Sequence, residues 1–164
     1  MKRRYAIALV LSLAVLIPDL VTKALVQAKL ELWESRTVIP GLFDLVHVTN
    51  KGSAFGFLNR VDITWQTTFL VVVTLLAVGV MLHLLRQASD QETFLITGLG
   101  LILGGALGNL VDRVRYGEVI DFLDFYVGDW HWPAFNVADI AITLGAFCLL
   151  ISLHRKKLHA SRSH

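Results

Sequence analysis

Two aspartates have the type and setting of a hydrolytic pair: Asp121 in Val119-Ile120-Asp121-Phe122-Leu123-Asp124, and Asp139 in Phe135-Asn136-Val137-Ala138-Asp139. Carboxylates held close together cannot both ionise cheaply, so such a pair shares a proton near neutral pH. One partner can draw a proton from water while the other donates to a carbonyl oxygen, which is general acid–base hydrolysis. Each aspartate also has a plainer reading. Asn136 suits a helix N-cap, which puts Asp139 at the third helical position, where a carboxylate complements the helix dipole. Asp121 and Asp124 can form the wet face of an interfacial segment whose Phe122, Phe125 and Tyr126 dip into lipid. Convergence favours chemistry: Asp121 falls just before the last apolar segment and Asp139 on its first turn, so both can face one site.

Two further clusters put polar groups inside apolar stretches. Asp19 and Lys23 are four apart in the first stretch and can pair on one helix face, either as a structural ion pair at the helix end or as walls of a polar pocket. Gly104-Gly105-Ala106-Leu107-Gly108-Asn109-Leu110-Val111-Asp112-Arg113 ends the third stretch. Its Gly104 and Gly108 have the small-xxx-small spacing of close helix packing. Asn109 and Arg113 share a helix face and need partners in lipid. Other chemistries are poorly supplied. There is no H-E-x-x-H zinc motif, no G-x-S-x-G elbow and no phosphate-cradling loop with G-K-[ST], and the six histidines are scattered. Ser53 beside Lys51 or Lys23 is a weak candidate for a serine nucleophile. The single Cys148, in an apolar run, reads as a small buried side chain and excludes an internal disulfide.

The elements that must position these residues are membrane helices. Of the 164 residues 55% are hydrophobic and 17% charged, whereas a soluble domain carries roughly 25% charge. The net charge of +2 gives no reason to expect a nucleic acid. Four stretches, roughly residues 5–28, 65–85, 93–111 and 137–153, approach the roughly 20 apolar residues that cross a bilayer. The first has a basic start but no convincing cleavage site, so it is expected to stay as a helix. Lys2, Arg3, Arg4, Arg155, Lys156 and Lys157, with the Arg86–Glu92 turn, place both termini in the cytoplasm. The four tryptophans (33, 65, 130, 132) then lie on the opposite side, at the headgroup zone. Outer loops of about residues 29–64 and 112–136 hold the remaining chemistry, the first with short strands around Leu45–Thr49 after a Pro40-Gly41 turn. The expected architecture is an all-α membrane protein: four transmembrane helices in one domain, with a small extracytoplasmic β-rich element and an interfacial segment.

In order along the chain, these motifs resemble the bacterial lipoprotein signal peptidases (signal peptidase II). The matching blocks are Asp19-x-x-Thr22-Lys23, Asn50-x-Gly52-x-Ala54-Phe55, Gly104-Gly105-x-x-Gly108-Asn109-x-x-Asp112-Arg113, Val119-x-Asp121-Phe122 and Phe135-Asn136-x-Ala138-Asp139. The resemblance implies a catalytic dyad at Asp121 and Asp139. It implies supporting roles for Asp19, Lys23, Asn50, Gly105, Asn109, Arg113, Asn136 and Ala138. It also implies cleavage of diacylglyceryl-modified prolipoproteins just before the modified cysteine, in the bacterial inner membrane. By the same resemblance the chain needs no metal or organic cofactor and binds globomycin-like inhibitors. Membrane lipids are expected partners of so apolar a chain, and nothing in the sequence demands an oligomer, so a monomer is expected. Glycine content and the family motif suggest a flap at Gly52–Gly56. In a chain of another class, a scaffold or transporter subunit, the same carboxylates would be caps or an ion path.

Overall fold

The computed structural model describes residues 2–52 and 65–162, so the flap and Ser53 fall outside the described residues, apart from Gly52. Among them are four long helices, α1 (Arg3–Lys29), α2 (Trp65–Gln87), α3 (Thr93–Tyr116) and α4 (Val137–Arg162). All four are long and apolar enough to cross a membrane. They outrun the apolar stretches because polar residues extend them at the ends. In particular, Asp112 and Arg113 still lie on α3 rather than in the following loop.

The sequence of α1 explains its orientation. Its buried residues are Ala8, Ser12, Val15, Asp19, Lys23 and Val26, a stripe at helical spacing, while Leu9, Val10, Leu13, Ile17, Val21 and Leu25 are exposed. The small and polar residues face protein, and the large apolar ones are left for lipid. Helix α3 is the centre of the bundle and packs against the other three helices. Its glycines let backbones touch. A Cβ at Gly104 would stand 2.6 Å from the Ser12 carbonyl oxygen, and one at Gly105 would stand 2.5 Å from that of Ala138. Toward its N-terminal end, Ile96, Leu99 and Leu103 join Ala8, Met81 and Leu85 in an apolar core.

A small antiparallel sheet completes the fold: β1 (Ser35–Ile39), β2 (Phe43–Asn50), β3 (Val119–Val127) and β4 (Trp130–His131), paired in that order. The outer strands read near Leu45–Thr49 are β1 and β2. The segment carrying Asp121 is a strand too, which overturns the wet-face reading. Residues three apart on a strand point to opposite sides, so Asp121 and Asp124 cannot share a face. Phe122 is buried against Val26 and Leu30 at the end of α1. The turn from α3 into β3 is made by Gly117, in the left-handed region at φ 79°, where its N–H caps the Arg113 carbonyl at 3.1 Å.

Candidate active site

The site lies where α3 ends, α4 begins and β3 departs. Its foundation is Lys23, buried on α1. Its ammonium donates to the Asn109 side-chain oxygen at 2.9 Å and forms ion pairs with Asp19 and Asp112, each at 2.8 Å. The two carboxylates in turn hold backbone: Asp19 accepts the Ala138 N–H at 2.9 Å, and Asp112 accepts the Ile120 N–H at 3.3 Å. One cation thus ties α1 to α3, to the first turn of α4 and to the start of β3. The Asp19–Lys23 pair is not a helix-end cap, since α1 continues to Lys29. Gly108 has no side chain where the Asp19 carboxylate lies.

The orientation of each amide follows from its partners. Lys23 can only donate, so the Asn109 oxygen faces it and the Asn109 NH2 faces Asp139, at 2.9 Å to Oδ1. The Asn136 oxygen accepts the Asp139 backbone N–H at 3.0 Å, so its NH2 is turned to Asp121, at 2.7 Å to Oδ1. Asp139 Oδ2 reaches back to the Asn136 N–H at 3.3 Å. This is a reciprocal cap at the start of α4 with aspartate in the third position. The capping reading is therefore correct, and it coexists with a second use: the cap leaves Asp139 Oδ1 facing Asn109. The Asn136 NH2 also lies 3.2 Å from the Ile120 carbonyl and 3.3 Å from the Asn109 oxygen, which joins the two halves of the site.

Asp121 is 3% exposed. Its carboxyl is pushed up to about 7, first by burial and then by the negative charge of Asp139, against hydrogen bonds from Asn50 and Asn136 and the attraction of Lys23. Asn50, at the end of β2, accepts the Gly52 N–H at 2.7 Å through its oxygen, which leaves its NH2 for Asp121. Arg113 donates to the Asn109 carbonyl at 3.4 Å and lies within electrostatic reach of Asp139, Asp121 and Asp112, while its buried Nε–H has no partner among the described residues. Gly105 and Ala138 contribute closeness: the α3 backbone meets the α4 backbone there.

The structure thus brings together all ten residues read from the sequence: Asp19, Lys23, Asn50, Gly105, Asn109, Arg113, Asp121, Asn136, Ala138 and Asp139. Asp112 was missed as a member, although it stood inside a quoted motif. Its signal was an acidic residue next to Arg113 at the end of an apolar stretch, which needs a partner as Asn109 and Arg113 do. Among the described residues no group of three His, Cys, Asp or Glu side chains could hold a metal ion.

Fold and site together define a multi-pass membrane protein with a buried polar centre at one end of its helices and two carboxyls joined through amides. The family profile described as "Signal peptidase (SPase) II" matches residues 11–155, and the chain belongs to that family of peptidases. It is 57% identical over 154 residues to the lipoprotein signal peptidase of Maridesulfovibrio salexigens, covering 94% of this chain and 99% of that one. It is 55% identical over 153 residues to that of Nitratidesulfovibrio vulgaris, covering 93% and 92%. Two solved structures, each described as a bacterial membrane enzyme obtained by the in meso method, are similar throughout. One has a TM-score of 0.79 at 28% identity, covering 92% of this chain and 88% of the other. The second has a TM-score of 0.76 at 30% identity, covering 89% and 91%.

Proposed function

We propose that this chain removes the signal peptide from diacylglyceryl-modified prolipoproteins, cutting just before the lipid-modified cysteine, with Asp121 and Asp139 as an aspartic dyad. The observation that carries the chemistry is the asymmetry of the two carboxyls. Asp139 accepts N–H donors on both oxygens at a helix N-terminus, which suits the ionised partner. Asp121 is buried beside that charge and holds its proton to about pH 7. Asp139 takes a proton from water as the water attacks, and Asp121 donates its proton to the scissile carbonyl oxygen, giving a gem-diol with no covalent enzyme intermediate. On collapse Asp121 takes a hydroxyl proton back, the C–N bond breaks, and Asp139 gives its proton to the leaving cysteine nitrogen. Arg113, whose Nε–H has no partner among the described residues, is suited to donate to a substrate carbonyl or to the developing oxyanion.

The enzyme sits in a bacterial inner membrane, and the basic residues near the span ends support an orientation with both termini in the cytoplasm and the site at the extracytoplasmic face. There a substrate tethered by its signal helix and acyl chains reaches the dyad by diffusion in two dimensions. The chain acts as a monomer, needs no cofactor and binds globomycin-like inhibitors. The purified chain should cleave a diacylglyceryl-modified prolipoprotein and leave the unmodified precursor intact. Ser53→Ala should retain that activity. Equal cleavage of both precursors, or loss of activity in Ser53→Ala, would overturn the substrate or the mechanism respectively.

A further inference from the structure

Helix α2 is the least embedded of the four. Phe69, Leu75, Leu76 and Val80 are exposed, and its buried residues are Gln66, Met81 and Leu85. Met81 and Leu85 belong to the apolar core, but Gln66 does not. At 3% exposed, Gln66 is an amide hidden at the start of a helix whose surface is otherwise apolar. Such a group must find a partner. Its Nε2 donates to the Lys51 carbonyl at 2.9 Å. Beside it, the Thr67 hydroxyl donates to the Gly117 carbonyl at 2.8 Å. Lys51 directly follows β2, and Gly117 shortly precedes β3. The end residues of those strands, Asn50 and Val119, are cross-strand partners. Two side chains of α2 thus fasten both chains of the ladder at the end that carries Asn50.

The Lys51 carbonyl lies inside the turn that aims Asn50. The Asn50 oxygen accepts the Gly52 N–H at 2.7 Å, so the side chain closes a turn over Lys51. Gly52, at φ 96°, rests against Leu70, where an added Cβ would collide with the Leu70 side chain. Leu70 is one helical turn from Gln66, on the same face of α2. The turn therefore meets that face twice, through a hydrogen bond and through a close contact. On its other side it faces the acid. Val48 stands opposite Asp121 and Asn50 opposite Val119, so alternation puts Asn50 and Asp121 on one side of the β2–β3 pair. We propose that Gln66 is a positioning residue for Asp121: by fixing the Lys51 peptide it holds the Asn50 NH2 on that carboxyl. The Asn50 hydrogen bond favours the ionised form and so opposes burial. Without Gln66 the carboxyl keeps its proton to higher pH. The effect on the carboxyl stands on this geometry, and its effect on rate rests on the dyad proposed above.

The test is an infrared pH titration of the full chain in mild detergent. It follows the C=O band of the protonated carboxyl that is absent from Asp121→Asn. Gln66→Met fills similar space and cannot donate. Its midpoint should rise by about one pH unit, the scale of one lost hydrogen bond to a carboxylate. Asn50→Ala should raise it likewise. The double variant should move it no further than Asn50→Ala alone, because Gln66 acts through Asn50. The alkaline limb of kcat/KM for prolipoprotein cleavage should shift by the same amount. If Gln66→Met does not fold, Gln66→Asn, which keeps the amide but falls one methylene short, should give the same shift. An unmoved midpoint in the folded variant, or a shift that adds to that of Asn50→Ala, would overturn the proposal and leave Gln66 a tether of α2 alone. A raised midpoint without a shifted rate profile would uphold the positioning of Asn50 and count against the dyad, so the two failures are distinguishable.

Discussion

At the scale of residues, the environment of Asp121 ties chemistry to stability. Its carboxyl is raised from the usual 3.8 to about 7, chiefly by burial and next by Asp139. The native state therefore keeps a proton that the unfolded chain releases. The resulting stabilisation is fully present below about pH 4 and is lost as pH rises through about 7, where a buried carboxylate must ionise. Asp121→Asn removes that ionisation and keeps an oxygen that can accept from Asn136. Its thermal midpoint in mild detergent should exceed the parent's by a few degrees above pH 7, with the difference vanishing near pH 4. A difference that does not change with pH would contradict the assigned environment. Lys23 shows the complementary rule: a buried cation is tolerable because two carboxylates and an amide oxygen lie within 2.9 Å of it.

At the scale of elements, legibility followed the apolar pattern. The helices could be read because their apolar runs exceed what a soluble core uses. Strand β3 could not, because Val119, Ile120, Asp121 and Phe122 are all buried. Where a strand is covered on both faces by helix ends, alternation disappears and the segment resembles any short apolar run. The α4 start was readable since a capping box is local. The Lys23–Asp112 bond was not, since it joins two helices distant in sequence. The glycine spacing on α3 gave packing but not partners; these are Ser12 for Gly104 and Ala138 for Gly105. Gly105→Ala would push α4 from α3 at the turn bearing Asp139. It should cost about 1–3 kcal/mol, typical of overpacking, and should depress cleavage more than stability alone explains. Denaturation and turnover measured on the same preparation separate the two effects. Unchanged values of both would mean that the helices have room there.

At the scale of the whole molecule, four lipid-facing helices and a sheet at one end form a scaffold in which α1, α3, α4 and β3 each deliver a piece of one polar site. Every residue expected in that site from the sequence lies there, because chemistry that is costly in lipid is retained only where it finds partners. The central claim is that Asp121 and Asp139 carry hydrolysis. The most direct measurement is cleavage of a diacylglyceryl-modified prolipoprotein by purified Asp121→Asn and Asp139→Asn proteins, each first shown to be folded by its thermal midpoint. The account predicts that each loses roughly 10²–10⁴-fold or more in rate. Near-parental cleavage by either folded variant would contradict it.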